Sequence, residues 1–263
     1  MINNTFSTIV ERLEKAEKYT IFVVGDSITE GARATGREKT YTAVFTEGLA
    51  KKFPERTVIR YDGKRQPVPD AELLPLECYE GPFTVQSGNG KTITVVRSGI
   101  GGNTVKRMLA RQNDFIGKEF DGERPDLYII MVGINDALKQ DASKYVSHEV
   151  FYQHLGILID TIANGEPGAD VILMTPTYND RGETNESHLA PYVDEMKKIC
   201  GERAIPMIDQ HRLWMEHLTV GGENYGQGDW LCGVNGDSCH PGDKGHTVIA
   251  NEMLRAIFEE NAE

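Results

Sequence analysis

Apolar and polar residues alternate in blocks along this chain, and the blocks predict helices and strands in turn. In segment 4–18 the apolar residues recur at helical spacing with charges between them, which predicts an amphipathic helix. The apolar run 21–24 that follows predicts a buried strand ending at Gly25. The same reasoning predicts further helices at 41–53, 103–116, 150–163, 189–200 and 244–259, and further strands at 92–97, 127–132, 171–175 and 205–208.

The repeated helix and strand pattern is typical of an α/β protein whose parallel sheet is covered on both faces. With 263 residues, the chain is long enough to bury most of its apolar surface in one core. We therefore predict a single domain over residues 1–263.

Segment 57–91 breaks the alternation. It begins with a short predicted strand at 57–61, becomes rich in proline and charge, and ends in the turn sequence Ser87-Gly88-Asn89-Gly90. We predict an insertion at about 57–91 that carries a β-hairpin, in which 83–85 faces 92–96 across that turn. The insertion is not predicted to be a separate domain.

The charge and composition of the chain argue against some classes of binding partner. The chain has 28 Lys plus Arg against 40 Asp plus Glu, a formal net charge of −12 that repels phosphate backbones and anionic lipids. No apolar run approaches the roughly 18 residues that span a bilayer, and charged residues interrupt the N-terminal segment where a signal peptide needs an apolar stretch. These features predict a cytoplasmic protein with neither nucleic acid nor a membrane as partner.

The four cysteines are too few and too scattered for a disulfide scaffold in a chain of this length. A zinc site formed by Cys232, Cys239, His240 and His246 would have a ligand spacing that matches no usual one. We therefore predict reduced thiols and no metal or other cofactor.

Ser27 follows the first predicted strand, in the turn Gly25-Asp26-Ser27. The carboxyl ends of parallel strands are where ligands and chemistry collect, so Ser27 is a candidate nucleophile. A serine after a strand is also a common helix N-cap, and the two interpretations are separated only by whether the chain supplies a base and an oxyanion site.

Two glycine-containing turns follow the next strands. Gly102 lies in Gly-Ile-Gly-Gly-Asn-Thr after the strand at 92–97, where backbone N–H groups can bind an anion or the glycines can merely permit close packing. Because position 104 is Thr, this segment does not match the dinucleotide-binding fingerprint. Asn135, in Gly133-Ile134-Asn135-Asp136, can cap the following helix or donate its amide to a developing oxyanion.

Near the C-terminus, Asp237 and His240 are three residues apart, close enough for a turn to aim the carboxylate at the imidazole. The histidine precedes the last predicted helix. An acid that orients a histidine base is the partner a serine nucleophile needs, although a single Asp-x-x-His pair is common in proteins.

Together these segments resemble the SGNH hydrolases, also called GDSL-type esterases and lipases. The resemblance rests on Gly25-Asp26-Ser27, on Gly102, on Gly133-x-Asn135-Asp136 and on Asp237-x-x-His240, which occur in the family's order. It implies a flavodoxin-like, three-layer α/β/α fold with a central parallel five-stranded sheet. Residue 97 is Arg where many relatives have Asn.

The resemblance also implies roles. Ser27 is the nucleophile, His240 its general base and then general acid, and Asp237 the residue that orients the imidazole. The oxyanion hole consists of the N–H groups of Ser27 and Gly102 and the side-chain amide of Asn135, as a tetrahedral acyl intermediate requires.

The substrate implied by the resemblance is a small-molecule or saccharide ester, and we expect O-deacetylation of a carbohydrate. The polar loop before Asp237 carries Tyr225 and Trp230, aromatic residues suited to stacking on a sugar, although the same loop is equally typical of a surface loop with one buried tryptophan. The alternatives are a lysophospholipase or thioesterase, an acyl transferase that shares the acyl-enzyme, and a non-enzymatic flavodoxin-like binding module.

Overall fold

The structure is a computed structural model that describes residues 5–65, 76–178, 186–220 and 239–259. Within these residues the strands form one seven-stranded sheet in the order β3-β2-β4-β1-β5-β6-β7. Every neighbouring pair is parallel except β2 and β3. The strands are β1 Lys18–Gly25, β2 Thr57–Arg65, β3 Leu76–Gln86, β4 Thr92–Gly99, β5 Leu127–Met131, β6 Asp170–Met174 and β7 Met207–Ile208.

Helices cover both faces of this sheet. Strands β5 and β6 are buried at every position, which requires a helical layer on each side. Helix α8 packs against α1 and α3, and α5 packs against α4 and α6. The helices are α1 Phe6–Lys15, α2 Ser27–Glu30, α3 Tyr41–Lys52, α4 Val105–Ala110, α5 His148–Gly165, α6 Glu186–Arg203, α7 Gln210–Val220 and α8 Asp243–Phe258.

Local sequence explains where several helices begin. The side chains of Thr5, Thr40, Thr104 and Ser147 each accept a hydrogen bond from a backbone N–H of the helix that follows.

The predicted three-layer α/β/α fold is confirmed, because helices cover both faces of the sheet. The prediction of one domain over residues 1–263 stays a prediction.

The predicted pairing of the edge hairpin is wrong. Strand β3 pairs antiparallel with β2, and β4 pairs in parallel with β2 on one side and β1 on the other. Both edges of β4 are therefore occupied, and the turn Ser87–Gly90 joins strands that are not neighbours. A turn sequence shows where the chain bends but does not select the partner strand.

The two strands of the edge hairpin also raise the number of strands in the sheet from the predicted five to seven. The five predicted parallel strands are β4, β1, β5, β6 and β7 of the sheet, and β2 and β3 extend it at the β4 edge. Strand β2 lies parallel to the main strands, so part of the predicted insertion belongs to the central sheet. Residues 66–75 of the predicted insertion lie outside the described part of the chain.

Among the described helices, none combines the length and the apolar character that crossing a membrane requires.

Candidate active site

The first element of the site is the tight turn between β1 and α2. Asp26 caps α2, and its Oδ1 accepts the backbone N–H of Ile28 at 3.0 Å. A Cβ on Gly25 would lie 1.9 Å from the Oγ1 of Thr29, so the close approach of α2 to the strand end requires glycine here. The turn leaves Ser27 half-buried, as the first residue of α2.

The second element is His240, which lies three residues before the first residue of α8. Its Nε2 lies 2.7 Å from the Oγ of Ser27, although the two residues are 213 positions apart in the sequence. Asp243, in the first turn of α8, accepts both the backbone N–H and the hydroxyl of Thr35, at 2.8 and 2.6 Å. These bonds connect the start of α8 to the loop after α2, so Ser27 and His240 lie on elements that are connected to each other.

The third element is the turn that follows β4. The backbone N–H of Asn103 donates to the carbonyl of Ile100 at 3.1 Å, and Gly102 has a φ of +76°, a conformation that favours glycine. The Gly101 N–H donates to Oε2 of Glu30 at 2.6 Å, and Nη1 of Arg107 donates to the Gly102 carbonyl at 2.8 Å. We call residues 100–103 the glycine turn.

The fourth element is Asn135, in the turn after β5. Its side chain is buried, and Nδ2 donates to the carbonyl of Asn103 at 2.9 Å. The next residue, Asp136, accepts the backbone N–H of Val105 through Oδ1 at 3.1 Å. The turn after β5 is therefore hydrogen-bonded to the glycine turn and to the start of α4.

These turns leave hydrogen-bond donors available. Among the described residues, the backbone N–H groups of Ser27 and Gly102 donate to no acceptor, and the Asn135 amide uses one of its two N–H groups on Asn103. Side-chain amides and backbone N–H groups are the kinds of donor that can stabilise an oxyanion as it forms.

Three of the sequence-predicted residues lie outside the described part of the chain. They are Asp237, predicted to orient His240, and Tyr225 and Trp230, predicted to contact a sugar. In the described segments, no three His, Cys, Asp or Glu side chains group as a metal site.

Sequence reasoning did not identify Glu30, whose carboxylate accepts a hydrogen bond from the glycine turn. A signal for it exists, because residues three apart on a helix lie on the same side and Glu30 follows Ser27 by three. The acceptor it meets, on a turn 71 residues away, could not be read from the spacing.

Comparisons with known proteins identify the family. A profile of the family described as GDSL-like lipase/acylhydrolase matches residues 21–253. An acetylxylan esterase from Geobacillus stearothermophilus is 28% identical over 171 residues, which are 63% of this chain and 72% of that protein.

Solved structures share the fold. An alpha/beta hydrolase enzyme from the metagenome of Lake Arreo, Spain, is similar with a TM-score of 0.63 and 23% identity, over 91% of this chain and 94% of that one. A two-domain esterase active on acetylated mannans has a TM-score of 0.65 and 20% identity, over 98% of this chain and 53% of that one.

The family match covers the strand and turn of Ser27, the glycine turn, Asn135 and His240 in one continuous span. The chain belongs to the GDSL-like lipase/acylhydrolase family and is a carboxylic ester hydrolase.

Proposed function

We propose that the protein is a serine esterase that removes acetyl groups from an esterified carbohydrate, with Ser27 as nucleophile and His240 as general base. The observation that carries the mechanism is the 2.7 Å contact between Ser27 Oγ and His240 Nε2. A serine hydroxyl at this distance from a neutral imidazole can transfer its proton as it attacks a carbonyl.

The first half-reaction forms an acetyl-enzyme. Ser27 Oγ bonds to the acetyl carbonyl carbon while its proton moves to His240 Nε2. The carbonyl oxygen becomes an oxyanion that receives hydrogen bonds from the Ser27 N–H, the Gly102 N–H and the Asn135 side-chain N–H that does not bond Asn103. The bond from carbon to the sugar oxygen then breaks, and His240 returns the proton to the departing alcohol.

Water completes the cycle. His240 accepts a proton from a water molecule, whose oxygen attacks the acetyl-enzyme through the same oxyanion arrangement. Collapse of this second intermediate releases acetate and returns the proton to Ser27.

In the same proposal, Asp237 accepts the Nδ1–H of His240 and so keeps Nε2 free to take the serine proton. Its place three residues before His240 supports the assignment. Tyr225 and Trp230 remain the predicted sugar-contacting residues.

The acetyl and carbohydrate parts of the proposal are supported by the relatives. The Geobacillus protein is named as an acetylxylan esterase, and one of the similar structures is described as active on acetylated mannans. Acetylated oligosaccharides are therefore the substrates to test first.

The test compares wild-type protein with Ser27→Ala, and with Ser7→Ala as a control at an exposed serine of α1. We expect Ser27→Ala to lower kcat on acetylated xylo-oligosaccharides by roughly 10³-fold or more, because the acyl-enzyme cannot form. Ser7→Ala should match wild type, and a fluorophosphonate should label wild-type protein at Ser27. Turnover by Ser27→Ala at the wild-type rate would contradict the nucleophile assignment.

The same wild-type protein is then assayed on p-nitrophenyl esters of increasing chain length. A steep fall in kcat/KM beyond acetate supports the acetyl-ester proposal. A rise with chain length would instead indicate a lysophospholipase or thioesterase. Preferential acyl transfer to an added alcohol would indicate a transferase.

A further inference from the structure

Glu30 connects the two turns that carry the proposed backbone oxyanion donors. It is the last residue of α2, and its backbone N–H donates to the carbonyl of Asp26 at 2.9 Å. Its carboxylate accepts the Gly101 N–H at 2.6 Å. One residue is therefore bonded to the turn of Ser27 through its backbone and to the glycine turn through its side chain.

The backbone of Glu30 is also held from the opposite side. The guanidinium of Arg97, on β4, donates to the Glu30 carbonyl oxygen. A Cβ on Gly99 would lie 2.1 Å from the Glu30 backbone nitrogen, so the end of β4 approaches α2 directly. The backbone of Glu30, from which the carboxylate extends, is therefore held by β4 and by the turn before α2.

Arg107 and Asn135 bond the carbonyls of Gly102 and Asn103, and the Glu30 bond restrains the glycine turn at its Gly101 N–H. Gly101 and Gly102 have no side chains to limit their backbone dihedrals, and glycine has the widest conformational freedom of any residue. The Gly101 N–H lies one peptide unit before the Gly102 N–H, so rotation of the first reorients the second. A hydrogen bond from a backbone N–H to a carboxylate is shorter and stronger than one between neutral groups.

The approach of Glu30 depends on glycine at position 101. A Cβ there would lie 2.9 Å from Oε2 of Glu30 and 3.8 Å from the Cβ of Ser27. A larger residue at 101 would therefore be in steric conflict with the Glu30 carboxylate.

We infer that Glu30 is a positioning residue for the oxyanion site: by accepting the Gly101 N–H, it aims the Gly102 N–H at the oxygen of the tetrahedral intermediate. This inference rests on the proposed function of Ser27 and Gly102. Glu30 acts through the glycine turn and touches no reacting atom.

The test uses three substitutions at one position. Glu30→Ala removes the acceptor, Glu30→Asp keeps the charge but shortens the side chain, and Glu30→Gln keeps an acceptor oxygen at full length without the charge. Glu47→Ala, at an exposed acid of α3, is the control. Each protein is assayed for kcat and KM on an acetyl ester, for the Ki of a trifluoromethyl ketone that forms a tetrahedral adduct, and for its melting temperature.

We expect Glu30→Ala and Glu30→Asp to lower kcat by about tenfold or more, with about 10³-fold as the limit for complete loss of one oxyanion donor. KM should change little, because the loss is confined to the transition state. The Ki of the ketone should rise in the same proportion as kcat/KM falls. Glu30→Gln should stay within about threefold of wild type, since its amide oxygen accepts the same N–H.

Wild-type kcat in Glu30→Asp would overturn the inference, and so would a Glu30→Gln variant as impaired as Glu30→Ala. A merely structural role predicts lower melting temperatures without a selective loss of ketone affinity. If the alanine variant does not fold, the aspartate and glutamine variants still decide the question.

Failure of this inference is distinguishable from failure of the proposed function. An inactive Ser27→Ala together with a fully active Glu30→Asp would reject only the role of Glu30. An active Ser27→Ala would reject the proposed mechanism itself.

Discussion

At the residue scale, two buried acids support the turns of the site. Asp26 and Asp136 are almost fully buried, and each accepts one backbone N–H, from Ile28 and Val105 respectively. Oδ2 of Asp136 has no hydrogen-bond partner among the described residues. Burial raises the pKa of Asp26 to about 7 and that of Asp136 to about 8, and the charge of Asp26 adds to the shift at Asp136.

This shift predicts that the protein loses stability as pH rises. Because the folded state binds the Asp136 proton more tightly than the unfolded state, the free energy of unfolding falls as pH rises from about 4 to about 8. We expect wild type to lose about 1–3 kcal/mol more than Asp136→Asn between pH 5 and pH 9, measured by urea denaturation. Parallel pH profiles for the two proteins would show that Asp136 does not titrate in this window.

At the element scale, buried charges join the edge hairpin to the elements that carry Ser27. Asp62 of β2 lies directly opposite Arg97 of β4 in the parallel register, and Arg97 Nε donates to Asp62 Oδ1 at 3.1 Å. Arg60 donates to Asp62 Oδ2 through Nη2 at 3.3 Å, and its Nε approaches Oδ1 to 3.1 Å at an angle too poor for a hydrogen bond. The carboxylate that pairs with Arg97 therefore comes from β2, the strand next to β4.

Removing Asp62 should be costly for this reason. Asp62→Ala leaves two buried guanidinium groups without their carboxylate, which predicts a loss of about 3–5 kcal/mol in the free energy of unfolding. The matched control is Asp160→Ala, which breaks an exposed ion pair with Arg203 and should cost about 1 kcal/mol or less. Denaturant titrations of both variants measure the difference, and equal losses would contradict the role of the buried cluster.

At the scale of the whole molecule, His246 joins three parts of the chain. This fully buried residue of α8 accepts the Tyr41 backbone N–H through Nδ1 at 3.3 Å and donates through Nε2 to the Ala32 carbonyl at 3.2 Å. Both bonds require the neutral imidazole with its proton on Nε2. Burial lowers the pKa of His246 to about 4, although the Ala32 carbonyl and the nearby Asp243 favour the charged form.

The protein should therefore lose stability in acid through this residue. Between pH 6.5 and about 4 the unfolded state binds the His246 proton and the folded state does not, so the free energy of unfolding falls as pH falls. We expect wild type to lose up to about 3 kcal/mol more than His246→Gln between pH 7 and pH 4.

Urea denaturation across this range measures the difference, with His211→Gln, at a half-buried histidine of α7, as the control. The control should follow the wild-type profile. A His246→Gln profile with the same acid slope would contradict this role of His246.

The sequence by itself determined the alternation of helices and strands and the positions where β1, β4 and β5 end. Both follow from local patterns. Strands buried on both faces have continuous apolar runs, and amphipathic helices have apolar residues at helical spacing. The placement of Ser27, Gly102 and Asn135 at one edge of the sheet follows from the same pattern, since parallel strands end on the same side. Helix α7 was not predicted.

Only the tertiary structure decided which strands pair and which distant side chains meet. The Asp62–Arg97 pair joins residues 35 positions apart and the bond from Gly101 to Glu30 joins residues 71 apart, while the 2.7 Å contact of Ser27 with His240 spans 213. Local sequence does not specify which distant residues form such contacts. They form where the packed core brings the ends of separate elements to one edge and burial leaves polar groups to be satisfied.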